Sequence, residues 1–524
     1  MKFLKNLLTF IVFCNSFHFF SQKKPNVVMI VLDDLNDFTG YMNGHPQAET
    51  PNIDNLASQS VIFNNAHSNV PVCSPSRASF MTGIHPITSK FWGFGNALKN
   101  EVFMNSKSIP EFLKENGYQV FQTGKVFHQS PKKVWDDSGI PADYGPMAFN
   151  GKKQVGHPSN PTEMAEQLGA LDATFVPLSD VPVIDSSEAG PGYNGWRFTN
   201  WKTNRHFNYV NEENRDLITD EMSAEWFKDK ISELEENSNQ KPFFIATGFI
   251  RPHTPLVVPT KYYEKYPIEN IEIPKRLKND LLDTEYGTGN KETRGHKAWR
   301  LLSEGYGSEE LGLKKFTQAY LASINFADDM VGRVVDAIEN SVFAKNTIII
   351  LFSDHGFFVG QKDHLWKYNL WKEASHVPLL IRPPGNSKNA GNVVNHPVSL
   401  IDIFPTIMDY CSFKGSTIKN DKGKAYNGYS LKPFIENTTS KKWKGPDEAL
   451  TMIASWKSKD PDKQHFAIQT LRYRYIKYFN GGEELYDHQN DPDEWYNLAN
   501  EKKFDKVIKD MRLRLEERIE DYNK

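Results

Sequence analysis

Two apolar, β-branched runs that stop abruptly on charged residues constrain this chain more than any other feature. Asn26–Leu32 (NVVMIVL) ends in Asp33 and Asp34, and Thr347–Phe352 (TIIILF) ends in Ser353, Asp354 and His355. Continuous apolar runs of this length read as central parallel strands, buried on both faces. Phe243–Phe249 (FFIATGF) is a third. Helical patterns lie between them. Ser108–Asn116 is one, and Glu309–Asn340 is the clearest, with Phe316, Tyr320, Ile324, Ala327, Val331, Val334 and Ile338 at helical spacing. Strands alternating with helices imply an α/β fold, a large and mostly parallel sheet flanked by helices. In such sheets polar ligands gather beyond the carboxyl ends of strands. Asp33, Asp34, Asp354 and His355 are therefore expected along one shared edge.

The chain has 524 residues, 39% of them hydrophobic, enough for one large domain and a smaller one. Residues 1–22 read as a signal peptide: Lys2 and Lys5 precede the apolar run Leu7–Phe20, with cleavage near Ser21 or Gln22. That run is short for a membrane span, and Phe13 is too bulky for lipoprotein processing at Cys14. A secreted or periplasmic protein without stable membrane insertion is expected. Residues 23–410 are assigned to the large domain and 411–524 to a smaller α+β subdomain. The latter has Phe466–Gln469 and Tyr473–Tyr478 as hairpin strands and a charged helix from Phe504 onward. Residues 131–215 and 256–306 have weak periodicity and read as long surface insertions. Trp196, Trp201, Phe207 and Tyr209 in the first of them either line a sugar site or pin the loop to the body. Lys+Arg 62 against Asp+Glu 65 gives a net charge of -3, with no basic excess of the kind nucleic-acid binding needs.

Cys73–Gly83 (CSPSRASFMTG) carries the chemistry. Ser74 suits a helix N-cap, Pro75 the first helical position and Gly83 the stop. Cys73 is then expected just before a helix, where free N–H groups and the helix dipole favour an anion. Arg77 lies one turn on and reaches back toward it. Cys73 alone reads as a buried structural thiol or as a thiolate activated by the helix end and Arg77. A disulfide to Cys411 is open on count alone, though the surrounding chemistry argues against it.

The Cys73–Gly83 segment resembles the maturation and active-site signature of type I sulfatases, in the alkaline-phosphatase-like superfamily. Val31–Asp34 (VLDD), Thr50–Ala57 (TPNIDNLA), Asn116–His128 (NGYQVFQTGKVFH), Phe352–Gly356 (FSDHG) and Glu484–Ala499 (ELYDHQNDPDEWYNLA) extend the resemblance along nearly the whole mature chain. Gly124–His128 (GKVFH) and His376–Pro378 (HVP) are most similar to the iduronate-2-sulfatase branch, which many polysaccharide-degrading enzymes share.

The resemblance implies that Cys73 is oxidised by a maturation enzyme to formylglycine (3-oxoalanine). One hydroxyl of its hydrate attacks sulfur and the other then expels sulfate. It implies a cation held by Asp33, Asp34, Cys73, Asp354 and His355, usually calcium, with magnesium also compatible with the oxygen-rich set. His355 stands where many relatives have asparagine. Arg77, Lys125 and Lys367 are the expected sulfate-binding cations, and His128 and His253 the proton-transfer groups. Trp92, Asn96, His364 and Trp366 are candidates for the first sugar subsite by neighbourhood. Trp366 can equally pack the loop and position Lys367. The implied substrate is a sulfated oligosaccharide or polysaccharide, either an algal glycan such as ulvan or a glycosaminoglycan. Two alternatives stay open: a phosphonate or phosphodiester hydrolase of the same superfamily, and a secreted glycan-binding protein on an inactive scaffold.

Overall fold

The computed structural model describes residues 24–185, 192–199, 205–237, 241–285, 292–385 and 387–524. The signal-peptide assignment and Trp201 lie outside the described residues. The expected central run forms the strand Asn26–Asp33, every residue of it buried. It pairs in parallel with Phe243–Pro252 on one side and Thr347–Ser353 on the other. Gln119–Gly124 and Asp137–Pro141 extend the sheet in parallel beyond Phe243–Pro252. On the opposite side Leu379–Arg382 runs antiparallel to both its neighbours, and Val61–Phe63 and Val393–Val394 complete eight strands.

The central strand is apolar at every position because its two faces feed two cores. Val28, Ile30 and Leu32 pack with Phe316, Tyr320 and Val331 of the long helix Glu309–Glu339. Val27, Met29 and Val31 pack on the other face with Phe80, Phe112, Phe404 and Ile407. Ile109–Glu115 forms as expected, with Ser108 and Glu111 making a capping box.

The C-terminal sheet is antiparallel, with four strands: Ala449–Ile453, His465–Gln469, Tyr473–Lys477 and Glu483–Asp487. The final helix, Asp505–Asn523, covers it through Ile508, Met511 and Leu515. Among the described residues no helix is long and apolar enough to cross a membrane.

The two weakly periodic regions are not bare loops. They hold the helices Thr162–Leu168 and Arg294–Gly305 and several two- and three-residue strands. Trp196 is fully buried and donates its indole N–H to the Leu178 carbonyl at 2.9 Å. Phe207 is also buried, and half-buried Tyr209 donates to Glu212 at 3.2 Å. These three pin the insertion to the body.

Candidate active site

The parallel register sets Leu32 opposite Ser353, which brings the two acidic strand ends side by side. Asp34 turns sharply, at φ +66°, in a left-handed conformation that aspartate tolerates better than most residues. Its backbone is gripped from two sides. The Tyr320 hydroxyl donates to the Asp34 carbonyl at 2.6 Å and accepts from Asn36 N at 3.1 Å. The Ser353 hydroxyl accepts from Leu35 N at 3.0 Å.

Facing these ends is the helix Cys73–Thr82, with every residue buried. It begins two residues earlier than the Ser74–Pro75 pattern suggests. Cys73 is its first residue, Val72 the N-cap without a side-chain cap bond, and Gly83 ends it at φ +68° as expected. Pro75 falls later in the first turn, where its missing N–H costs no intrahelical bond. The Ser74 hydroxyl instead donates to the Gly95 carbonyl at 2.9 Å. The Ser68 and Ser76 hydroxyls both donate to the Asp354 carbonyl, at 2.8 and 2.6 Å, and fasten the helix mouth to the strand end.

Cys73 is the point of convergence. Its Sγ lies 3.5 Å from Asp33 Oδ1, 3.3 Å from His355 Nε2 and 3.3 Å from Lys367 Nζ. Arg77 Nε donates to Asp354 Oδ2 at 2.8 Å, and its Nη2 is 3.8 Å from Asp33. Lys125 pairs with Asp33, and Lys367 pairs with Asp34 Oδ1 at 2.6 Å. His355 Nδ1 is 3.1 Å from Asp34 Oδ1, and His253 Nε2 is 3.6 Å from Asp34 Oδ2. Lys125 reaches this position because Gly124 and Gly248 let two chain segments touch. A side chain at Gly248 would collide with the Lys125 carbonyl, and one at Gly124 with the Gly248 carbonyl. His128 is exposed at the mouth. Cys411 is a free, buried thiol that accepts from the Tyr118 hydroxyl at 3.2 Å, so no disulfide joins it to Cys73.

Burial and charge set the protonation pattern. Burial would raise the Asp33 carboxyl, but Lys125, His253, Arg77 and Lys367 hold it well below the usual range. Burial pushes Asp34 up to about 8 despite Lys367 and His355. Burial and then Asp33 raise the Cys73 thiol. Against burial, Asp33 raises Lys125 and Asp34 raises Lys367. Burial lowers His355, and burial with Lys367 lowers His253 well below its ordinary value. His128, though exposed, is crowded by the cleft walls and lies near Lys125 and Arg77, which together hold it at about 4.

The residues fit a cation. Donor atoms of Asp33, Cys73, Asp354 and His355 lie within 4.8 Å of one another, as do those of Asp33, Asp34, Cys73 and His253. Asp34 Oδ2 is buried without a hydrogen-bond partner, an arrangement that is costly unless something else meets that oxygen. Three carboxylates suit a hard cation.

The subsite candidates divide. His364 is buried; its ring meets the Lys362 carbonyl at Nδ1 and Thr293 Oγ1 at Nε2, 2.8 Å away. That corrects the substrate-facing expectation, because packing and hydrogen bonds occupy the ring. Trp92 is half-buried against the C-terminal core. Asn96 is exposed and caps a short turn through Leu98 N at 3.0 Å. Trp366 is half-buried beside Lys367. Tyr144 escaped sequence reading altogether. Its ring lies 4.9 Å from Lys125 Nζ and 5.1 Å from the His253 ring, yet it sits in a weakly patterned insertion that gives no signal.

Comparison with known proteins agrees with this geometry. The family described as Sulfatase matches residues 25–412, and that described as N-sulphoglucosamine sulphohydrolase, C-terminal, matches residues 354–521. A protein from Formosa agariphila described as "Sulfatase" is 31% identical over 503 residues, covering 94% of this chain and 86% of its own. Human iduronate 2-sulfatase is 30% identical over 367 residues, covering 69% of this chain and 60% of that one. Among solved structures, a protein in complex with its substrate D-glucosamine-2-N,6-O-disulfate superposes with TM-score 0.66 at 21% identity, over 95% of this chain and 98% of that one. The phosphonate monoester hydrolase of Agrobacterium radiobacter superposes with TM-score 0.67 at 20% identity, over 95% and 96%. These last two share the fold. With a buried Asp, Cys and His cluster of the kind the family uses for its metal ion and formylglycine, and a family match spanning most of its length, the chain belongs to the sulfatases, the hydrolases of sulfuric esters.

Proposed function

We propose that the protein is secreted or periplasmic and hydrolyses sulfate esters on an anionic carbohydrate, either an algal glycan such as ulvan or a glycosaminoglycan fragment. The observation that carries this reading is the convergence of Asp33, His355 and Lys367 on Cys73 at a helix mouth. The carbohydrate reading is supported by two relatives' names, iduronate 2-sulfatase in human and an ulvan-active sulfatase in Formosa agariphila, the latter 25% identical over 502 residues.

Cys73, oxidised to formylglycine by a maturation enzyme, supplies the nucleophile when formed. Asp33, Asp34, Asp354 and His355 would hold a calcium ion, or magnesium, which would polarise a sulfate oxygen when bound. The chain's own cations do the rest of the electrostatic work. Arg77, Lys125 and Lys367 are fixed by ion pairs before substrate arrives, so little reorganisation is needed as charge develops on the sulfuryl group. His253 keeps Nδ1 on the Thr254 carbonyl and turns Nε2 to the centre. An anionic ester there raises the imidazole pKa and lets it hold the proton for the leaving oxygen. His128 at the mouth serves the elimination that regenerates the site.

The test is turnover by protein whose residue 73 is shown to be formylglycine by mass spectrometry. A panel of defined sulfated oligosaccharides is assayed, with product positions read by NMR. Release of sulfate from at least one glycan is expected. Full conversion at residue 73 with hydrolysis of phosphonate or phosphate esters alone would overturn the reading.

A further inference from the structure

We propose that Phe94, Trp366 and Trp456 form an aromatic rim that stacks on the sugar rings next to the sulfated one, so that the substrate is an anionic oligosaccharide rather than a monosaccharide sulfate. This rests on the carbohydrate reading above and adds to it where the neighbouring sugars bind.

The three rings come from segments far apart in the chain and meet at one mouth. Phe94 is 55% exposed and Trp456 68% exposed. The Phe94 ring lies 6.4 Å from that of Trp366, with planes 21° apart. Trp366 precedes Lys367, whose ammonium group is 3.3 Å from Cys73 Sγ. The Phe94 loop is tied to the same centre through the Ser74–Gly95 hydrogen bond. Trp456 abuts that loop: a Cβ at Gly93 would sit 3.0 Å from its indole.

The rim is built rather than loose. Trp366 adopts φ +89° and Trp456 φ +57°, a region that large L side chains avoid unless their surroundings over-determine it. Here they do. The Tyr368 hydroxyl donates to the Trp92 carbonyl at 3.0 Å and accepts from Ala454 N at 2.9 Å, and its ring lies 6.0 Å from Trp456. Gln464 is buried and holds the Trp456 loop, accepting from Ser455 N at 2.9 Å and donating to the Ser458 carbonyl at 3.0 Å. The Arg294 guanidinium, paired with Asp172 at 2.6 Å, braces Trp366 from 4.9 Å. Strained backbone and a braced loop thus hold Phe94 and Trp456 exposed beside a sulfate-binding centre, with half-buried Trp366 packed on Phe94 and Arg294. A flat apolar ring with polar surroundings matches the C–H face of a pyranose, and a run of such rings matches a chain of them.

The experiment compares Phe94→Ala and Trp456→Ala with wild type, all bearing formylglycine. Substrates are size-fractionated di-, tetra- and hexasaccharides from heparin and from ulvan, with 4-nitrocatechol sulfate as the small ester. Wild-type kcat/KM is expected to rise with oligosaccharide length. Each variant is expected to lose about ten-fold on the tetrasaccharide relative to the aryl sulfate, mostly in KM. Equal loss on all substrates, or a change of oligomeric state in the variants, would overturn the rim as a subsite and assign it to folding or self-association. Oligosaccharide turnover that ignores both substitutions would overturn the rim alone. Hydrolysis of the aryl sulfate with none of any oligosaccharide would overturn the carbohydrate reading and the rim with it.

Discussion

Two buried charge clusters in this molecule use the same residue types to opposite ends. The first surrounds Cys73. The second joins the C-terminal sheet to the segment that carries Lys367. There Arg474 pairs with Glu494 at 2.6 Å, His488 with Glu494 at 2.7 Å and Lys362 with Asp280 at 2.9 Å. Glu484 accepts from Trp371, Tyr486, Tyr478 and Glu285 N. Each of these charges ends on a protein partner, and no nucleophile lies among them. In the first cluster the charges converge on one side chain at a helix mouth; buried polar atoms without a hydrogen-bond partner occur in both, Asp34 Oδ2 and Arg77 Nη2 in the first and Arg474 Nη2 in the second. Buried charge alone therefore does not mark a site; convergence on a reactive atom does.

The sharpest break between the clusters is Cys73→Ala. Turnover should fall by at least about a thousand-fold, because the nucleophile is gone, while the thermal unfolding midpoint stays close to wild type. Catalysis at the normal rate would remove Cys73 from the chemistry. Glu494→Ala should do the reverse. Arg474 would be left buried without its counter-ion, at a cost of about 3–5 kcal/mol in chemical denaturation, and the turnover of the folded fraction should change far less. A fall in turnover with no loss of stability would make the second cluster a functional one.

How much of this was legible in the sequence follows the range of each interaction. The strand ends were legible because an apolar run that halts on Asp33–Asp34 or Asp354–His355 is a local signal. The long helix was legible too, since 31 residues give a period many chances to repeat. The Cys73 helix starts two residues before the Ser74–Pro75 pattern places it: Ser74 has the chemistry of a cap, but its hydroxyl is drawn to Gly95, 21 positions away. Spacing marks Tyr320 as a core residue but not its hydroxyl bond to Asp34, and Ser68, Ser76 and Tyr144 act only through partners brought near by folding. Most strands of the insertions are two or three residues long, too short to show alternation in the sequence.

Asp354→Asn tests the first cluster from its other wall. Removing one carboxylate charge weakens cation affinity and loosens Arg77, which pairs with Asp354 at 2.8 Å. Activity and metal affinity should fall together, by about a hundred-fold, when protein stripped with a chelator is titrated with calcium. No change in either would take Asp354 out of the metal set.

The smallest effect is a proton, and it sets Asp34 of the first cluster against Glu494 of the second. Asp34 has a folded pKa of about 8 without a metal, set by burial, well above the ordinary carboxylate value of about 4. Between those values the folded chain holds a proton the unfolded chain has lost. This group's contribution is therefore fully present below about pH 4 and declines as pH rises through 8. Glu494 has the opposite sign. Arg474 and His488 overcome burial and hold its pKa below the ordinary range, so its contribution is present above the unfolded pKa and lost as pH falls through the folded one. A cation at the first cluster needs Asp34 ionised. Calcium binding at pH 7 should release close to one proton, measured by calorimetry in buffers of different ionisation enthalpy, and much less at pH 9. Asp33, already ionised, and His355, already neutral, add nothing to that release. Equal proton release at the two pH values would mean that Asp34 is not the carboxylate that opens for the metal.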